Sequence, residues 1–496
     1  MFLSVFSVSL LSDNLLLLAS LLVFAALLVS KVGYRFGVPT LLLFVVVGML
    51  AGPDGMGLHF ENYEIAEFIG HFAMTVILLT GGLETDMKES RPVIGQGVLL
   101  STLGVVLTAF LTGGFIFFFT ARMLGGLWAS MAGCLTVAVV MSSTDSASVF
   151  SVLRSRRMHL KHNLGPMLEI ESGSNDSIAY IITIFMVNLL SFIQEGGDST
   201  AFTMTGILLL LLQIVVGLVV GVGMGYASKW LLSRIKFDGS PFYAVMILSI
   251  GIFTNAVAFY LHGNGLLALY VTAIIIGNQA KFPHKKEILK FMDGITWLVQ
   301  LLMFLLLGLL VHPSEFPSII VPALMIGLFM IFVARPLGVF LSLLPYRRLP
   351  VRAKAMISWV GLKGAGPVLF AMCPLLAGLP GSVEIFNIVF VVTLLSQLLQ
   401  GMSLPAVARL LKLDDVDLEK AQTYGIEVPE EIGMLTDHVV TEEDLQLGRT
   451  LRELNLPHGI RVIMVRRGDE FLSPHGSMRL KTGDHLVFLL CEKTDE

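Results

Sequence analysis

Apolar residues run in long blocks over most of the chain, separated by short stretches that are charged or rich in Gly and Pro. The blocks fall at residues 13–30, 38–51, 63–82, 93–120, 127–153, 160–193, 203–233, 240–262, 265–280, 286–311, 318–344, 352–376 and 382–410. A helix needs ~20 apolar residues to cross the ~30 Å hydrocarbon layer, so this pattern predicts about 13 membrane spans. The second and ninth blocks are short for that role. After residue 411 the pattern changes. Acidic, helix-breaking sequence such as Asp414-Asp415-Val416-Asp417 and Val428-Pro429-Glu430-Glu431 reads as a linker over 412–432. Shorter runs then predict strands at 434–441, 459–466 and 485–490, a helix over 447–454, and turns at 467–469 and 481–484. The expected architecture is an all-α polytopic membrane protein over 1–411, followed by a small cytoplasmic α+β domain over 433–496. At roughly 60 residues that domain is marginal by itself and gains from dimerisation.

Composition supports this division. The chain is 55% hydrophobic and 14% charged, with a mean hydropathy of +0.81, which excludes an ordinary soluble protein. Its three cysteines lack metal-ligand spacing. No basic region precedes the first apolar block, so a cleaved signal peptide is not expected. The net charge of −4 says little, but its distribution is informative. Alternate connections carry Lys31 and Arg35, Lys88 and Arg91, Arg154 to Lys161, Lys229 to Lys236, Lys281 to Lys290, and Arg347 to Lys354. The intervening connections carry Glu61, Glu64, Glu195, Asp198, Glu315 and Glu384, with little positive charge beyond Arg122. Positive loops stay cytoplasmic, so this alternation predicts an outside N-terminus and a cytoplasmic C-terminus.

Candidate chemistry lies in the few polar residues within the blocks. The stretch Glu171-Ser172-Gly173-Ser174-Asn175-Asp176-Ser177 interrupts the sixth. A charge at mid-membrane costs roughly 2.5–3.5 kcal/mol, which makes such residues functional candidates. Glu171 and Asn175 share one helix face, and Ser172 and Asp176 share the adjacent one. Thr144-Asp145-Ser146 interrupts the fifth block, and Gly361-Leu362-Lys363-Gly364-Ala365-Gly366-Pro367 interrupts the twelfth. These two blocks run in opposite directions, as broken helices do in the inverted repeats of transporters. Asp145 and Lys363 would then offset the partial charges of the opened helix ends; otherwise they are loop residues at the membrane surface. Arg335, before Pro336, needs a counter-charge if it is buried, and Glu171 is the candidate; otherwise it snorkels to the interface. Glu84 closes the third block after Gly81-Gly82.

These residues resemble the monovalent cation/proton antiporter family, in its electroneutral NhaP-type branch. The likeness covers about 10–410 and is carried by Gly81-Gly82-Leu83-Glu84, Thr144-Asp145, Glu171-Ser172, Asn175-Asp176, Ala334-Arg335-Pro336 and Gly361-Leu362-Lys363-Gly364-Ala365. It implies a homodimer of thirteen-helix protomers whose core moves as an elevator, with two broken helices that cross. It implies that Asp176 alternately holds a cation or a proton, and that Asn175 marks the electroneutral branch. Ser172 and Thr144 would be neutral oxygen ligands, Glu171 the partner of Arg335, and Glu84 an acid facing the ion cavity. Ser146 stands where many relatives have proline, and Lys363 where arginine is common. Residues 430–493 resemble the TrkA-C (RCK-C) domain through Leu447-Gly448-Arg449-Thr450-Leu451-Arg452-Glu453-Leu454 and Leu480-Lys481-Thr482-Gly483-Asp484. That likeness implies regulation by a small cytoplasmic ligand such as an adenine nucleotide and tilts the ion towards K+. No cofactor and no nucleic acid are expected.

The expected activity is exchange of K+, or Na+, for H+ across a bacterial inner membrane, with no enzymatic chemistry. Carboxylate, hydroxyl and carbonyl oxygens suit either cation. An electrogenic exchanger, in which Glu171 also releases a proton, is the main alternative. A potassium channel would need a carbonyl-lined filter of the Thr-Val-Gly-Tyr-Gly kind, and the sequence has none. The serines have no evident histidine or lysine partner for an intramembrane enzyme.

Overall fold

The computed structural model describes residues 17–31, 39–120 apart from 59 and 61, 126–155, 158, 160–196, 199–235, 239–280 and 285–414, and, within 435–490, all but 441–443, 446–449, 455–459 and 468–469. Two compact units divide between Asp414 and Asp415, a few residues beyond the boundary expected at 411. The expected linker falls largely outside the described residues.

The first unit is helical: α1 (Leu17–Lys31), α2 (Thr40–Ala51), α3 (Tyr63–Glu84), α4 (Met87–Thr120), α5 (Met131–Val140), α6 (Ser146–Ser155), α7 (Leu164–Gln194) and α8 (Ser199–Arg234). These are followed by α9 (Ser240–Tyr260), α10 (Gly265–Gln279), α11 (Lys285–Leu309), α12 (Pro313–Ser342), α13 (Val351–Trp359), α14 (Ala365–Leu376) and α15 (Ser382–Leu410). Among the described residues, eight helices are long and apolar enough to cross a membrane; α1, α2, α5, α10 and α14 are apolar but shorter. The second and ninth blocks are thus the helices α2 and α10. Three of the long helices contain π-helical turns: α4 at Leu100–Gly104 and Ile116–Thr120, α12 at Met330–Ala334, and α15 at Gln397–Gly401. Such turns concentrate at functional positions.

The helices pack mainly within two groups. One joins α2 and α3 with α10 and α11, and ties α8 and α9 to α10. In the other, α7 packs on α4 and α5, α4 on α12, and α12 on α15. The groups meet where α3 and α10 face α7. Small residues allow the closest approaches: a Cβ on Gly48 of α2 would lie 2.2 Å from the Leu305 carbonyl oxygen of α11. Any side chain there would drive these helices apart.

The second unit contains β1 (Leu435–Val439), β2 (Ile460–Arg467), β3 (Glu470–Leu472) and β4 (His485–Leu490), in an antiparallel sheet of order β1-β4-β2-β3. The short β3 was not expected. The helix expected over 447–454 is corrected for its described part: residues 451–454 form a turn, and Thr450 bridges to Arg479. Its leucines satisfied a helical period, but Leu451 and Leu454 pack against the small core of Val440, Val465, Leu480 and Leu486 from that turn.

Buried Asp484 fixes the sheet's last turn. It accepts from Arg467 Nε (2.8 Å) and Nη2 (2.7 Å) and from the Lys481 backbone N–H (2.8 Å). Burial alone would raise this carboxyl, but these donors outweigh it and hold it below the ordinary aspartate range. The stabilisation is therefore complete above the unfolded value of about 3.9 and lost as pH falls through the lower folded value. In the full chain, amide exchange in 460–490 should accelerate on acidification below about pH 4, and Arg467→Ala should bring that loosening to higher pH. Identical exchange profiles in the variant and the original would contradict this.

Candidate functional site

The two breaks expected from sequence cross each other. Helical structure stops after Val140, and the backbone runs unwound through Ser143–Asp145 before α6. It stops again after Trp359 and runs unwound over 361–364 before α14. At the crossing, the Asp145 backbone N–H donates to the Leu362 carbonyl at 2.9 Å. Opened backbone at membrane depth is tolerated only where it is buried in protein or lines a cavity, and its polar groups need partners there.

Charged side chains meet the opened ends. Asp145 stands just before α6, where its Oδ1 accepts from the Ser148 backbone N–H (3.2 Å) and its Oδ2 from the Ser148 hydroxyl (2.5 Å). This is a helix N-cap, placing negative charge at a positive helix end. Lys363 is buried, and its Nζ donates to the carbonyls of Ser143 (2.9 Å) and Ser142 (3.3 Å), just beyond the C-terminus of α5. Each of these charges thus meets a helix end in the fifth block. Gly364 makes the crossing possible, because a Cβ there would lie 2.1 Å from Asp145 Oδ2. Gly364→Ala should therefore displace Asp145. The predicted consequence is a drop in transport of roughly tenfold or more in everted vesicles, with the protein still reaching the membrane. Unchanged transport would contradict this placement.

α7 runs unbroken past the crossing and carries the four polar residues in question. The Ser172 hydroxyl donates to the Thr144 carbonyl (2.8 Å), and Asn175 Nδ2 donates to Thr144 Oγ1 (2.6 Å). Both bonds fasten the first break to α7. Glu171 meets Arg335 of α12 at 2.5 Å, and both are almost fully buried. Among the described residues Glu171 Oε2 and Arg335 Nε find no hydrogen-bond partner, and the pair meets through Glu171 Oε1 and Arg335 Nη2. Gly361 gives Arg335 its room, since a Cβ there would lie 2.8 Å from Nε.

A cavity of about 420 Å³ opens at the seam between the two helix groups. From one side it is lined by Thr80, Glu84 and Thr85 of the α3 end, Tyr270 of α10, and Asp293, Thr296 and Gln300 of α11. From the other come Asp145, Glu169, Ser172 and Asp176. The structure therefore brings Asp176, Ser172, Asp145 and Glu84 to one space. Thr144 and Asn175 lie behind its wall, and Lys363, Glu171 and Arg335 lie deeper in the core. Tyr270 covers the adjoining turn of α7: its hydroxyl donates to the Glu169 carbonyl (3.2 Å), and its ring occupies the space a Gly173 side chain would need. Carboxylate and hydroxyl oxygens crowded beside unwound carbonyls suit a desolvated monovalent cation or a proton.

Sequence reasoning missed two groups here. Asp293, Thr296 and Gln300 recur at three- and four-residue spacing on α11, a polar stripe that was the available signal. Ser396, Gln397 and Gln400 of α15 satisfy the second break. Lys363 N–H donates to Ser396 Oγ (3.0 Å), Gln397 Nε2 to Lys363 O (2.8 Å), and Gln400 Nε2 to Trp359 O (2.9 Å). Two glutamines and a serine in an apolar block were their signal.

Comparison with known proteins supplies the family context. The transmembrane family described as sodium/hydrogen exchanger matches residues 18–410, and the TrkA-C domain matches 435–490. The K(+)/H(+) antiporter NhaP2 of Shewanella oneidensis is 35% identical over 491 residues, 98% of this chain and 82% of that protein. The K(+)/H(+) antiporter NhaP of Alkalimonas amylolytica is 35% identical over 97% of this chain and 81% of its own length. The Na(+)/H(+) antiporter NhaS2 of a Synechocystis strain is 29% identical over 82% of this chain and 72% of its own. Among solved structures, the sodium proton antiporter MjNhaP1 of Methanocaldococcus jannaschii has the same fold, with a TM-score of 0.67 over 79% of this chain and 97% of that one, at 22% identity.

Proposed function

We propose that this chain, which belongs to the sodium/hydrogen exchanger family and carries a TrkA-C domain, exchanges a monovalent cation for a proton across a bacterial inner membrane. The observation that carries this reading is the cavity holding Asp176 and Ser172 beside two crossed breaks, the first met by the charges of Asp145 and Lys363 and the second by neutral side chains of α15. Asp176 is the exchange carboxylate. Proton and cation compete for its oxygens, and only the neutralised site crosses. Ser172 supplies a hydroxyl oxygen; Thr144, held by Asn175, backs it as a further neutral oxygen. Glu84 attracts cations at the cavity mouth. Asp145 and Lys363 hold the breaks open at little electrostatic cost, and Glu171 with Arg335 anchors α7 to α12.

Potassium is the cation we favour, because the relatives named as K(+)/H(+) antiporters match almost the whole chain. Sodium is the second reading, favoured by the likeness to NhaS2. With Asn175 where a second carboxylate would move another charge, one cation exchanges for one proton and transport is electroneutral. The cavity's seam location suits an elevator movement of one helix group against the other. About 13 crossings put the N-terminus outside and the C-terminus in the cytoplasm. There the TrkA-C domain would respond to a small ligand such as an adenine nucleotide. A homodimer fits the heavily exposed, apolar α8, of whose best spanning window only 11% is buried.

Proteoliposomes bearing a pH gradient test this directly. Added K+ should collapse the gradient at lower concentration than Na+, at a rate independent of imposed membrane voltage. Failure of both cations to move protons would end the reading, and a voltage-dependent rate would replace electroneutral with electrogenic exchange.

A further inference from the structure

A second cavity, of about 560 Å³, lies away from the exchange site and has no part in the reading above. Its polar lining is Gln96 of α4, His162 and Asn163 just before α7, and Tyr346, Arg347 and Arg348 of the turn joining α12 to α13. Among the described residues no carboxylate lines it. We propose that this cavity binds a phosphate group, borne either by an anionic lipid or by a small soluble ligand.

The walls are built rather than incidental. The arginine turn is held by Tyr346 N–H donating to Leu343 O (3.2 Å) and Leu349 N–H donating to Tyr346 O (3.3 Å). Lys354 Nζ adds a further bond to the Leu343 carbonyl (2.9 Å). The Tyr346 hydroxyl seats against Gly95, where a Cβ would be 2.3 Å away. The facing wall is equally constrained. His162 and Asn163 take consecutive left-handed conformations, with φ of 62° and 52°. For residues other than glycine such conformations are strained and cluster at functional sites. The preceding Lys161 N–H donates to Leu413 O (2.9 Å), and Leu160 bridges Asp414. Guanidinium groups present forked donors that match phosphate oxygens, and two adjacent arginines with an imidazole make a suitable anion cradle. Arginines that merely anchor the chain at a bilayer surface would need neither the cavity nor the fixed turn.

The site would also communicate. Met167 lines this cavity while Glu169, two residues on, lines the exchange cavity, so the first turns of α7 separate the two. A phosphate group gripping His162 and Asn163 stiffens the start of the helix that carries Asp176.

Thermal unfolding of the purified full chain tests binding without reference to transport. Three conditions suffice: phosphatidylcholine vesicles, the same vesicles containing phosphatidylglycerol, and phosphatidylcholine vesicles with added inorganic phosphate. Wild-type protein should unfold at a higher temperature in at least one of the last two, because a ligand that binds only the folded state stabilises it. A rise with phosphatidylglycerol alone assigns a lipid headgroup, and a rise with inorganic phosphate assigns a soluble source. Arg347→Gln with Arg348→Gln should abolish the rise while leaving the midpoint in plain phosphatidylcholine unchanged. Lys286→Gln with Lys290→Gln, which removes equal charge away from the cavity, should keep it. The proposal is overturned if wild type responds to neither probe, if the arginine variant still responds, or if the lysine variant loses the response equally.

Discussion

Asp176→Asn in proteoliposomes is expected to abolish cation-driven proton movement altogether, leaving an imposed pH gradient untouched at any K+ concentration. Asparagine matches aspartate in size, so Ser172, the crossing and the cavity keep their shape. It cannot carry a dissociable proton or neutralise a cation, so neither half of the exchange cycle can proceed. Asp176 lines the cavity, and the bonds from Ser172 and Asn175 that fasten Thr144 to α7 do not involve its carboxylate. The variant should therefore insert and unfold like the original, which separates lost chemistry from lost structure. Asp176→Glu keeps the charge on a longer arm and should retain partial exchange with altered cation affinity. Substantial exchange by the asparagine variant would move the site elsewhere in the cavity, to Asp145 or Glu84, and refute the assignment.

The largest effect on stability is expected at Arg335. Arg335→Met leaves Glu171 buried and without its guanidinium partner. Removing one partner of a buried ion pair typically costs ~3–5 kcal/mol. The cost should appear as poor yield and a lowered unfolding temperature in detergent, with any folded fraction still binding cations at Asp176. Glu171→Gln alone should be harmful for the converse reason. The double variant should recover much of the loss, since an apolar or neutral pair of similar volume often replaces a buried ion pair at little cost. Additive losses in the double variant would mean that the two residues stabilise the fold independently.

Much of the candidate site is legible in the sequence because the membrane makes polar residues conspicuous. Glu171, Ser172, Asn175 and Asp176 stand out in a block where each carries a cost. Asp145 is marked by the serines and threonine around it, and Lys363 by flanking glycines and Pro367, each inside an otherwise apolar block. The face assignment along α7 followed from helical geometry alone. Residues that act on backbone were harder to read. Ser396, Gln397 and Gln400 serve atoms at positions 359 and 363, and nothing in a local pattern names so distant a partner. Asp293 lies near the basic end of its block, where charge is ordinary, so its place in the cavity wall was not distinctive. In the C-terminal unit, the regular leucines of 447–454 fitted a helix, whereas the described turn buries two of them from another geometry. The π-helical turns left no compositional mark at all.

One such turn constrains how related sequences can differ in length. The wide turn at Met330–Ala334 accommodates an additional residue immediately before Arg335. Loss of one residue there would tighten the helix to ordinary α geometry. The segments on either side would keep nearly the same relative rotation, because the wide turn already holds its extra residue without winding the helix further. A deletion in the regular α-helical part of α12 before Arg335 would instead rotate everything beyond it by about 100°. If the first half of α12 kept its packing, the guanidinium would then leave Glu171 and face another neighbour. A single-residue deletion in α12 is therefore tolerated at the π-helical turn and disruptive elsewhere before Arg335. Related sequences one residue shorter here should have lost it at that turn, with the residues at 171 and 335 unchanged.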